Sequence, residues 1–455
     1  MKNIIVVALL FFVMTETWGN TEIDVRDKKV WLQLLEDKNY SELDKQLTNL
    51  QVSYEKYPST ERKLLLALSS FKNSDPSLKS KIEAWLAEKP ESIFAHLTLG
   101  LYHNHLGWLS RGSRWSKDTT SQQFAKMRGH FRKAHDELTW VISKNPKQSI
   151  AYATILSLET ARSKKQQKLL FNEAIKHNPL SSVIRRVYLM GLLPKWGGSF
   201  DEIEKFLLET SPLYSQNTDL KRQEGFLEYA HGDKIFTSEE KNAYRDALAY
   251  LDKAVSKSTN TRYLSKRAQI HKYMKSYQKS INDYTKALES APQDSDYLTG
   301  RGNVYYKLKE YDLALADINE AILYDKMNPN ALQTRGFIYY MTDKKDKALL
   351  SLTDSLIYGF EKKSTHKYIG YIHYYTKNNY RLAAESLKTS SELGNEDSYI
   401  WYLITASQWH NRDCEFVKSA NIYAQRCEES GECKKKNLDW ALKSAAYAKR
   451  STCRQ

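Results

Sequence analysis

Proline and glycine are scarce in this sequence, with 9 and 17 occurrences among 455 residues. So few turn-forming residues exclude a β-sandwich and argue against a disordered chain. The hydrophobic fraction of 41% is enough for a sizeable core. The length leaves room for two or three domains or for one long repeat array. The composition therefore predicts a helical protein.

Long apolar runs are absent after the first twenty residues. Lys2 precedes the apolar run 4–14, and small side chains follow at Thr17 and Gly19. This run is too short to span a bilayer and is typical of a secretory signal. We expect residues 1–19 to be a cleaved bacterial signal peptide and the mature chain to be periplasmic or secreted, without a membrane span. The alternative is an uncleaved signal that anchors the chain.

Acidic residues are outnumbered by basic ones, 54 against 69, which gives a formal net charge of +15. A basic surface suits anionic partners, but it is also typical of a lysine-rich face that is simply solvated. Export argues against nucleic acid as a partner. The remaining anionic candidates are components of the cell envelope.

Catalytic and cofactor motifs are lacking as well. The sequence has no glycine-rich phosphate loop, no Gly-x-Ser-x-Gly and no His-Glu-x-x-His, which are the spacings that common catalytic sites require. His103 and His105 are two residues apart, so on a helix they face different ways. We predict a protein without enzymatic activity, metal or cofactor.

A 34-residue period organises the chain from residue 261 onwards. Pairs of arginine with a small residue recur at this spacing, and so do small residues further along: Arg267-Ala268, Arg301-Gly302, Arg335-Gly336 and Gly370; Ser280, Ala314 and Ala348; Ala287, Ala321 and Ser355. This pattern resembles tetratricopeptide repeats. The resemblance implies an all-α, right-handed solenoid of helical hairpins over residues 240–395, with repeats at 261–294, 295–328, 329–362 and 363–395, the last with one inserted residue.

The resemblance also implies a concave groove lined by the first helix of each repeat. The family's groove positions carry tyrosines, amides and lysines: Gln269, Lys272 and Tyr273; Asn303, Tyr306 and Lys307; Gln333, Phe337 and Tyr340; Tyr371 and Tyr374. Tyrosine combines a rigid apolar surface with a polar tip, which suits an extended peptide or a partner helix. We expect a protein or peptide partner here. The alternative is that part of the row packs between hairpins.

The recurring arginines have a structural interpretation. Arg267 and Arg301 are each followed sixteen residues later by an aspartate, Asp283 or Asp317. Arginine and aspartate on the two helices of one hairpin can form a bidentate pair. Arg335 has a serine at the corresponding position.

Residues 20–233 show a weaker form of the same organisation, in which Pro90, Pro146 and Pro179 each follow a helical pattern. We predict degenerate helical hairpins here, with an insertion between the first two prolines. Segments 84–92, 107–118 and 193–200 resemble a bacterial domain of unknown function with a Trp-Gly-Gly-Ser motif. The resemblance covers roughly residues 37–209 and implies helical hairpins and association with tetratricopeptide repeats, but no activity.

The second of these motifs has clear local chemistry. Pro194 ends a helix, Gly197 and Gly198 permit left-handed backbone, and Ser199 with Glu202 forms a capping box. The tryptophans and arginines of both motifs are candidates for a pocket that binds an anionic group: Trp108, Arg111, Arg114, Trp115 and Trp196. Such a pocket would make the chain a binding or processing protein for an anionic glycan or phosphate of the envelope. The competing interpretation places the tryptophans in the core and pairs the arginines internally.

All four cysteines lie in the carboxy-terminal segment 396–455. An even number in an exported chain indicates two disulfides with three pairings open, rather than a zinc site, because no Cys-x-x-Cys is present. We favour Cys427–Cys433 and Cys414–Cys453. These bonds would staple a polar helical cap at residues 437–449, as the end of a solenoid requires.

Overall fold

A computed structural model describes residues 27–72, 75–111, 119–160, 163–238, 243–358, 362–431, 433–450 and 453. The predicted signal peptide, Arg114 and Trp115 lie outside these ranges. Every regular element within them is a helix, and none is a strand. The predicted all-α fold is confirmed.

The amino-terminal half contains ten helices in the described ranges. They are α1 (Lys28–Glu36), α2 (Tyr40–Lys56), α3 (Glu61–Ser69), α4 (Pro76–Glu88), α5 (Ile93–Arg111), α6 (Ser121–Lys144), α7 (Ser149–Glu159), α8 (Lys164–His177), α9 (Ser182–Gly191) and α10 (Phe200–Thr210). Four short 3-10 helices accompany them at Pro58–Thr60, Pro194–Trp196, Ser211–Ser215 and Thr218–Gln223. The extra length between Pro90 and Pro146 is taken up mainly by α5 and α6, which have 19 and 24 residues.

The second half is a regular succession of helices. They are α11 (Phe226–Thr237), α12 (Ala243–Lys257), α13 (Thr261–Tyr273), α14 (Tyr277–Ser290), α15 (Ser295–Lys307), α16 (Tyr311–Tyr324), α17 (Pro329–Met341), α18 (Lys345–Ile357), α19 (Lys363–Tyr375), α20 (Tyr380–Glu392), α21 (Ser398–His410), α22 (Phe416–Ser430) and α23 (Lys435–Arg450). Consecutive helices pack as pairs, α11 with α12 and so on to α21 with α22. Before the first predicted repeat, α11 and α12 form a further complete hairpin.

The 34-residue period is also visible in the backbone. The turn between the two helices of a hairpin uses one residue in the left-handed region, where side chains are uncommon. These residues are Lys275, Lys309, Asp343, Asn378 and Arg412, with φ between 50° and 64°. The step from Asp343 to Asn378 is one residue longer than the others, because the fourth repeat contains the predicted inserted residue. The final step to Arg412 shows that repeat geometry continues into the carboxy-terminal segment 396–455.

Within each repeat the two helices approach closely. A Cβ atom added to Gly302 would lie 2.9 Å from Cγ1 of Ile318 on the second helix. Arg301 spans the same two helices, donating from Nε and Nη2 to the Asp317 carboxylate at 2.8 Å each. Arg267 pairs with Asp283 in the same way at 2.8 and 2.7 Å. The predicted bidentate pairs are present, and Arg335 donates to Ser351 Oγ instead, at 3.1 Å.

Helices α1–α3, residues 27–72, cross over the loops that precede the first helices of later hairpins, and we call them the strap. Tyr54 donates its hydroxyl to Asn178 at 3.0 Å. The fully buried Glu61 carboxylate accepts the backbone N–H groups of Ser182 and Val183 at 2.7 and 3.1 Å. A carboxylate at this position caps the positive amino-terminal end of α9 from outside the helix.

The strap also reaches the tetratricopeptide half of the chain. Arg62 donates to the carbonyl of Ser290 at 3.2 Å, and the backbone N–H of Lys28 donates to Gln293 at 2.5 Å. Just beyond the strap, Asp75 forms an ion pair with Lys326 at 2.5 Å. Residues more than 200 positions apart are therefore in direct contact, and the two halves form one continuous body.

The carboxy-terminal helices are stapled as predicted. Cys414 bonds to Cys453 and Cys427 bonds to Cys433, with Cα–Cα distances of 5.6 and 5.4 Å. Helix α23 packs its buried alanines, Ala441 among them, against the aromatic side chains of the preceding hairpin. The last hairpin of the solenoid is therefore covered by a helix.

Peptide mapping without reductant should recover one peptide pair joined by Cys414–Cys453 and one closed by Cys427–Cys433. Two bonds of this kind stabilise a fold by about 2–4 kcal/mol each, because they restrict the unfolded chain. Four free thiols, or a different pairing in the folded protein, would contradict the arrangement of α22 and α23.

Replacing Arg301 by alanine should cost about 2 kcal/mol of unfolding free energy, since the buried Asp317 then loses its two donors. The matched control is Arg335→Ala, which removes a single hydrogen bond to a serine and should cost less than about 1 kcal/mol. Urea unfolding followed by circular dichroism measures both. Equal losses would show that the bidentate pair has no special role.

Candidate functional site

The predicted groove positions lie on the first helices α13, α15, α17 and α19, and their rings form a connected series. Tyr306 lies 6.3 Å from Phe337, and Phe337 lies 4.9 Å from Tyr368 between ring centroids. Tyr368 also contacts Tyr340 at 4.7 Å and Tyr371 at 6.1 Å. We call these five residues the aromatic row; edge-to-face and offset contacts at such distances are favourable.

The row continues towards the carboxy terminus. Tyr371 contacts Tyr375 at 6.1 Å, and Tyr375 contacts Tyr374 at 4.9 Å. The hydroxyl of Tyr375 lies 2.6 Å from that of Tyr399 on α21. The ring series therefore links four consecutive hairpins.

Sequence reasoning missed Tyr368, the residue at the centre of the row. The preceding repeats carry Lys266, Gly300 and Thr334 at the same register position, so no periodic signal marked it. Tyr273, which was also predicted for the groove, contacts Tyr244 and Phe236 at 5.6 Å each and none of the five rings of the row. It extends the α11–α12 hairpin surface rather than the row.

Lysines accompany the row. Lys345 lies 3.8 Å above the ring of Tyr340, while Lys307 and Lys367 lie 5.7 and 5.4 Å from the rings of Tyr306 and Tyr371. Such cation–π contacts hold the ammonium groups at the groove surface. Burial and the neighbouring Tyr368 raise the pKa of Tyr306 to about 12. The hydroxyl is therefore protonated at neutral pH and is able to donate a hydrogen bond.

The amide positions occupy the other end of the groove. Gln269, Lys272 and Asn303 line a cavity of about 570 Å³ that Met190 and Lys195 close from the amino-terminal half. Asn303 is held by its neighbours, donating to the carbonyl of Thr299 and accepting from Thr334, both at 3.0 Å. Gln333 donates to Thr365 at 2.5 Å. Burial, with Lys307 and Lys362 nearby, lowers the pKa of Lys272.

The two tryptophan motifs of the amino-terminal half meet in space, as predicted. Trp108 lies 6.2 Å from Trp196 and 5.2 Å from Phe131, edge to face in both cases. Both tryptophans are partly buried against the main core. Arg111 ends α5, and the pocket proposed around it stays a prediction because Arg114 and Trp115 lie outside the described residues.

Gly197 and Gly198, which follow Trp196 and precede α10, have different roles. Gly197 is left-handed, with φ of 80°, as predicted. Gly198 is not left-handed; a Cβ atom there would lie 2.0 Å from the carbonyl oxygen of Leu192, so close backbone approach requires the glycine. The capping box is present, with Glu202 N–H donating to Ser199 Oγ at 3.1 Å and Ser199 N–H donating back at 2.9 Å.

The same motif joins the two halves of the chain. Lys195 lies 2.9 Å from one oxygen of the buried Asp233, and Lys266 of the first repeat lies 2.8 Å from the other. Burial by itself would raise the pKa of Asp233, but Lys266 and Lys195 bring it below its usual value. This triad is a structural link at the edge of the groove.

A second cavity, of about 410 Å³, lies under the strap. Its walls carry many charges: Lys28, Arg62, Lys72, Arg186 and Arg262, with Asp294, Asp296 and Asp325. It shares Arg262, Asp294, Asp296 and Tyr297 with the groove cavity, so the two are adjoining parts of one cleft. Arg262, Asp296 and Asn330 lie 34 residues apart, at one register position of successive repeats. The repeat period could therefore have indicated that these polar side chains line the same cleft.

The two histidines of α5, His103 and His105, face different side chains. Nδ1 of His103 faces His130 at 3.2 Å, and Nε2 of His105 faces Asp325 at 3.6 Å. Within the described ranges, no three or more histidine, cysteine or acidic side chains are grouped to hold a metal ion. No helix in the same ranges is long and apolar enough to cross a bilayer.

Two family models match parts of this chain. Residues 265–331 match the tetratricopeptide repeat, and residues 28–170 match a domain of unknown function, DUF4034. The chain therefore contains tetratricopeptide repeats and, before them, a domain of the second kind. No curated protein matches it.

Several solved structures resemble the fold at low identity. The Cut9–Hcn1 hetero-tetramer of APC/C gives a TM-score of 0.48 at 13% identity, covering 92% of this chain and 89% of that chain. PilF of Pseudomonas aeruginosa gives 0.42 at 17%, covering 49% and 99%. YrrB, described as having an unusual peptide-binding site, gives 0.31 at 18%, covering 44% and 97%. Similarity at this level concerns the fold and carries no information on function.

Replacing Asp233 by asparagine should cost about 2 kcal/mol of unfolding free energy, because two lysines then lose their shared, buried counter-charge. Asp252→Asn is the matched control, since the exposed Asp252 pairs with Arg267 at 2.9 Å and surface pairs contribute less than about 1 kcal/mol. Urea unfolding at neutral pH measures both variants. An equal loss of unfolding free energy in Asp252→Asn and Asp233→Asn would show that the triad has no special role in linking the two halves.

Proposed function

We propose that this chain is an exported, non-catalytic scaffold that holds an extended segment of a partner protein in the concave groove of its repeats. Export is supported by the signal-like residues 1–19, which favour a periplasmic or secreted location. The scaffold role is supported by the tetratricopeptide repeats, whose matching model covers residues 265–331.

The aromatic row is the observation that carries the proposal. It runs unbroken from Tyr306 on α15 through α17 to Tyr371 on α19, along the first helices of three repeats. Rigid tyrosine rings lose little side-chain entropy on binding and offer both apolar contact and hydroxyl donors. Such a row fits a peptide backbone that crosses several hairpins.

The lysines of the groove indicate the chemistry of the bound segment. Lys307 lies against a ring of the row, and Lys272 lies at the amide end of the groove. Lys345 and Lys367 also lie against rings, and they pair with Asp343 and Asp397 at 3.3 and 3.2 Å. Complementary charge speeds association and aligns a ligand within the groove. We propose a segment in which acidic residues alternate with apolar or aromatic ones.

Selection from a random peptide library on the purified chain, followed by fluorescence anisotropy titration, tests this proposal. Phe337→Ala removes the middle of the row and should weaken the selected peptides at least about tenfold, or about 1.4 kcal/mol. Tyr306→Ala should have a similar effect. The matched control is Leu323→Ala, an exposed residue on the second helix α16, which should leave affinity within about twofold.

Circular dichroism melting of each variant separates lost binding from lost folding. Selected peptides without acidic residues would contradict the proposed chemistry of the bound segment. Peptides whose affinity survives both groove substitutions would rule out the aromatic row as the binding surface.

A further inference from the structure

The cavity under the strap contains more positive charge than its own acids neutralise. Arg222 is paired with Asp219 at 2.6 Å, and Arg62 donates to the carbonyl of Ser290 at 3.2 Å. The side chains of Lys72 and Arg186 make no hydrogen bond and no ion pair with any residue in the described part of the chain. These two cations line the same enclosed space.

Neither cation is in a favourable environment as it stands. Burial, and then the like charges of Arg186 and Lys28, lower the pKa of Lys72 to about 8; Asp294 attracts Lys72 without pairing with it. Burial and the charge of Arg262 lower the pKa of Arg186 to about 10, although Glu61 and Asp219 attract it from a distance. Desolvated cations without a direct ion-pair partner are costly, and a bound anion reduces that cost.

The same cavity is also lined by groups of complementary character. Asp294 and Asp296 lie at the start of α15, beside the amides of Asn260 and Gln293. Burial and the two neighbouring acids Asp294 and Asp325 raise the pKa of Asp296 to about 6. Oδ1 of Asp294 already accepts the backbone N–H groups of Asp296 and Tyr297, which leaves its Oδ2 and the Asp296 carboxylate to accept hydrogen bonds from hydroxyl or amino groups of a ligand. The cavity thus offers both cations and acceptors.

We propose that this cavity binds a small anionic ligand, with a phosphate or carboxylate group on Lys72 and Arg186 and hydroxyl or amino groups on the Asp294 side. The volume of about 410 Å³ is in the range of small-molecule sites. The contacts of Arg62 with Ser290 and of Lys28 with Gln293 close the cavity between the strap and the repeats. The ligand would therefore bridge the two halves of the chain.

This site is separate from the aromatic row. Lys72 and Arg186 lie in the amino-terminal half, and neither borders the groove cavity. A small ligand here would fasten the strap to the repeats next to the groove, whichever partner the groove holds.

Isothermal titration calorimetry and thermal melting of the purified full chain test the site, in phosphate-free buffer at constant ionic strength. The probes are inorganic phosphate, citrate and glucose 6-phosphate. Glucose is the uncharged control for glucose 6-phosphate. Saturable binding of a charged probe, a raised Tm and no response to glucose are expected. Phosphate against citrate distinguishes a phosphate ligand from a carboxylate ligand.

Arg186→Gln and Lys72→Gln should each weaken binding of the charged probe at least about tenfold. Arg381→Gln is the control, since Arg381 is exposed on α20 and pairs with Glu385 at 2.9 Å; it should bind like the wild type. Without any probe, Arg186→Gln should melt at or above the wild-type temperature, because an enclosed, unpaired cation has been removed.

No binding of any charged probe, or binding that is unchanged in both cleft variants, would overturn the proposal. A marked fall in Tm of Arg186→Gln without ligand would also overturn it, since that result would show a partner for Arg186 within the protein itself.

Discussion

The Glu61 carboxylate, fully buried at the amino-terminal end of α9, holds the strap in place. Besides the backbone N–H groups of Ser182 and Val183, it accepts the hydroxyls of Ser181 and Ser182. A buried carboxylate is stable only when its oxygens are fully hydrogen-bonded, and this one takes its donors from residues about 120 positions away. The direction of α3, and of the side chains that follow it, depends on this contact.

In an ordinary solenoid each repeat contacts only the repeats next to it. The groove is therefore open along one edge. Here α3 carries Arg62 and the residues up to Lys72 across the loops before α13 and α15, and Lys28 and Asp75 extend these contacts on either side of it. The edge of the groove near the first repeats is therefore a roofed cleft, while the aromatic row beyond it stays open. One chain thus presents two surfaces of different chemistry, enclosed and charged at one end, open and aromatic at the other.

The repeats could be predicted from the sequence because their determinants are local and periodic. Gly302 and the pair of Arg301 with Asp317 act within one hairpin, and each recurs or has a counterpart 34 residues away. The strap could not be predicted, because Glu61 and Arg62 find their partners more than 100 residues away at positions without any period. Tyr368, at the centre of the aromatic row, could not be predicted, because its ring has no counterpart in earlier repeats.

Zero-length carbodiimide crosslinking, followed by peptide mapping of the monomer, tests the closure of the cleft most directly. The reagent joins only carboxylates and amines already in contact, and Asp75 with Lys326 is such a pair across the strap contact. Glu228 with Lys257, an ion pair between the adjacent helices α11 and α12, is the internal reference. The closed cleft predicts both crosslinked peptides in comparable yield. Recovery of the Glu228–Lys257 peptide without the Asp75–Lys326 peptide would contradict it.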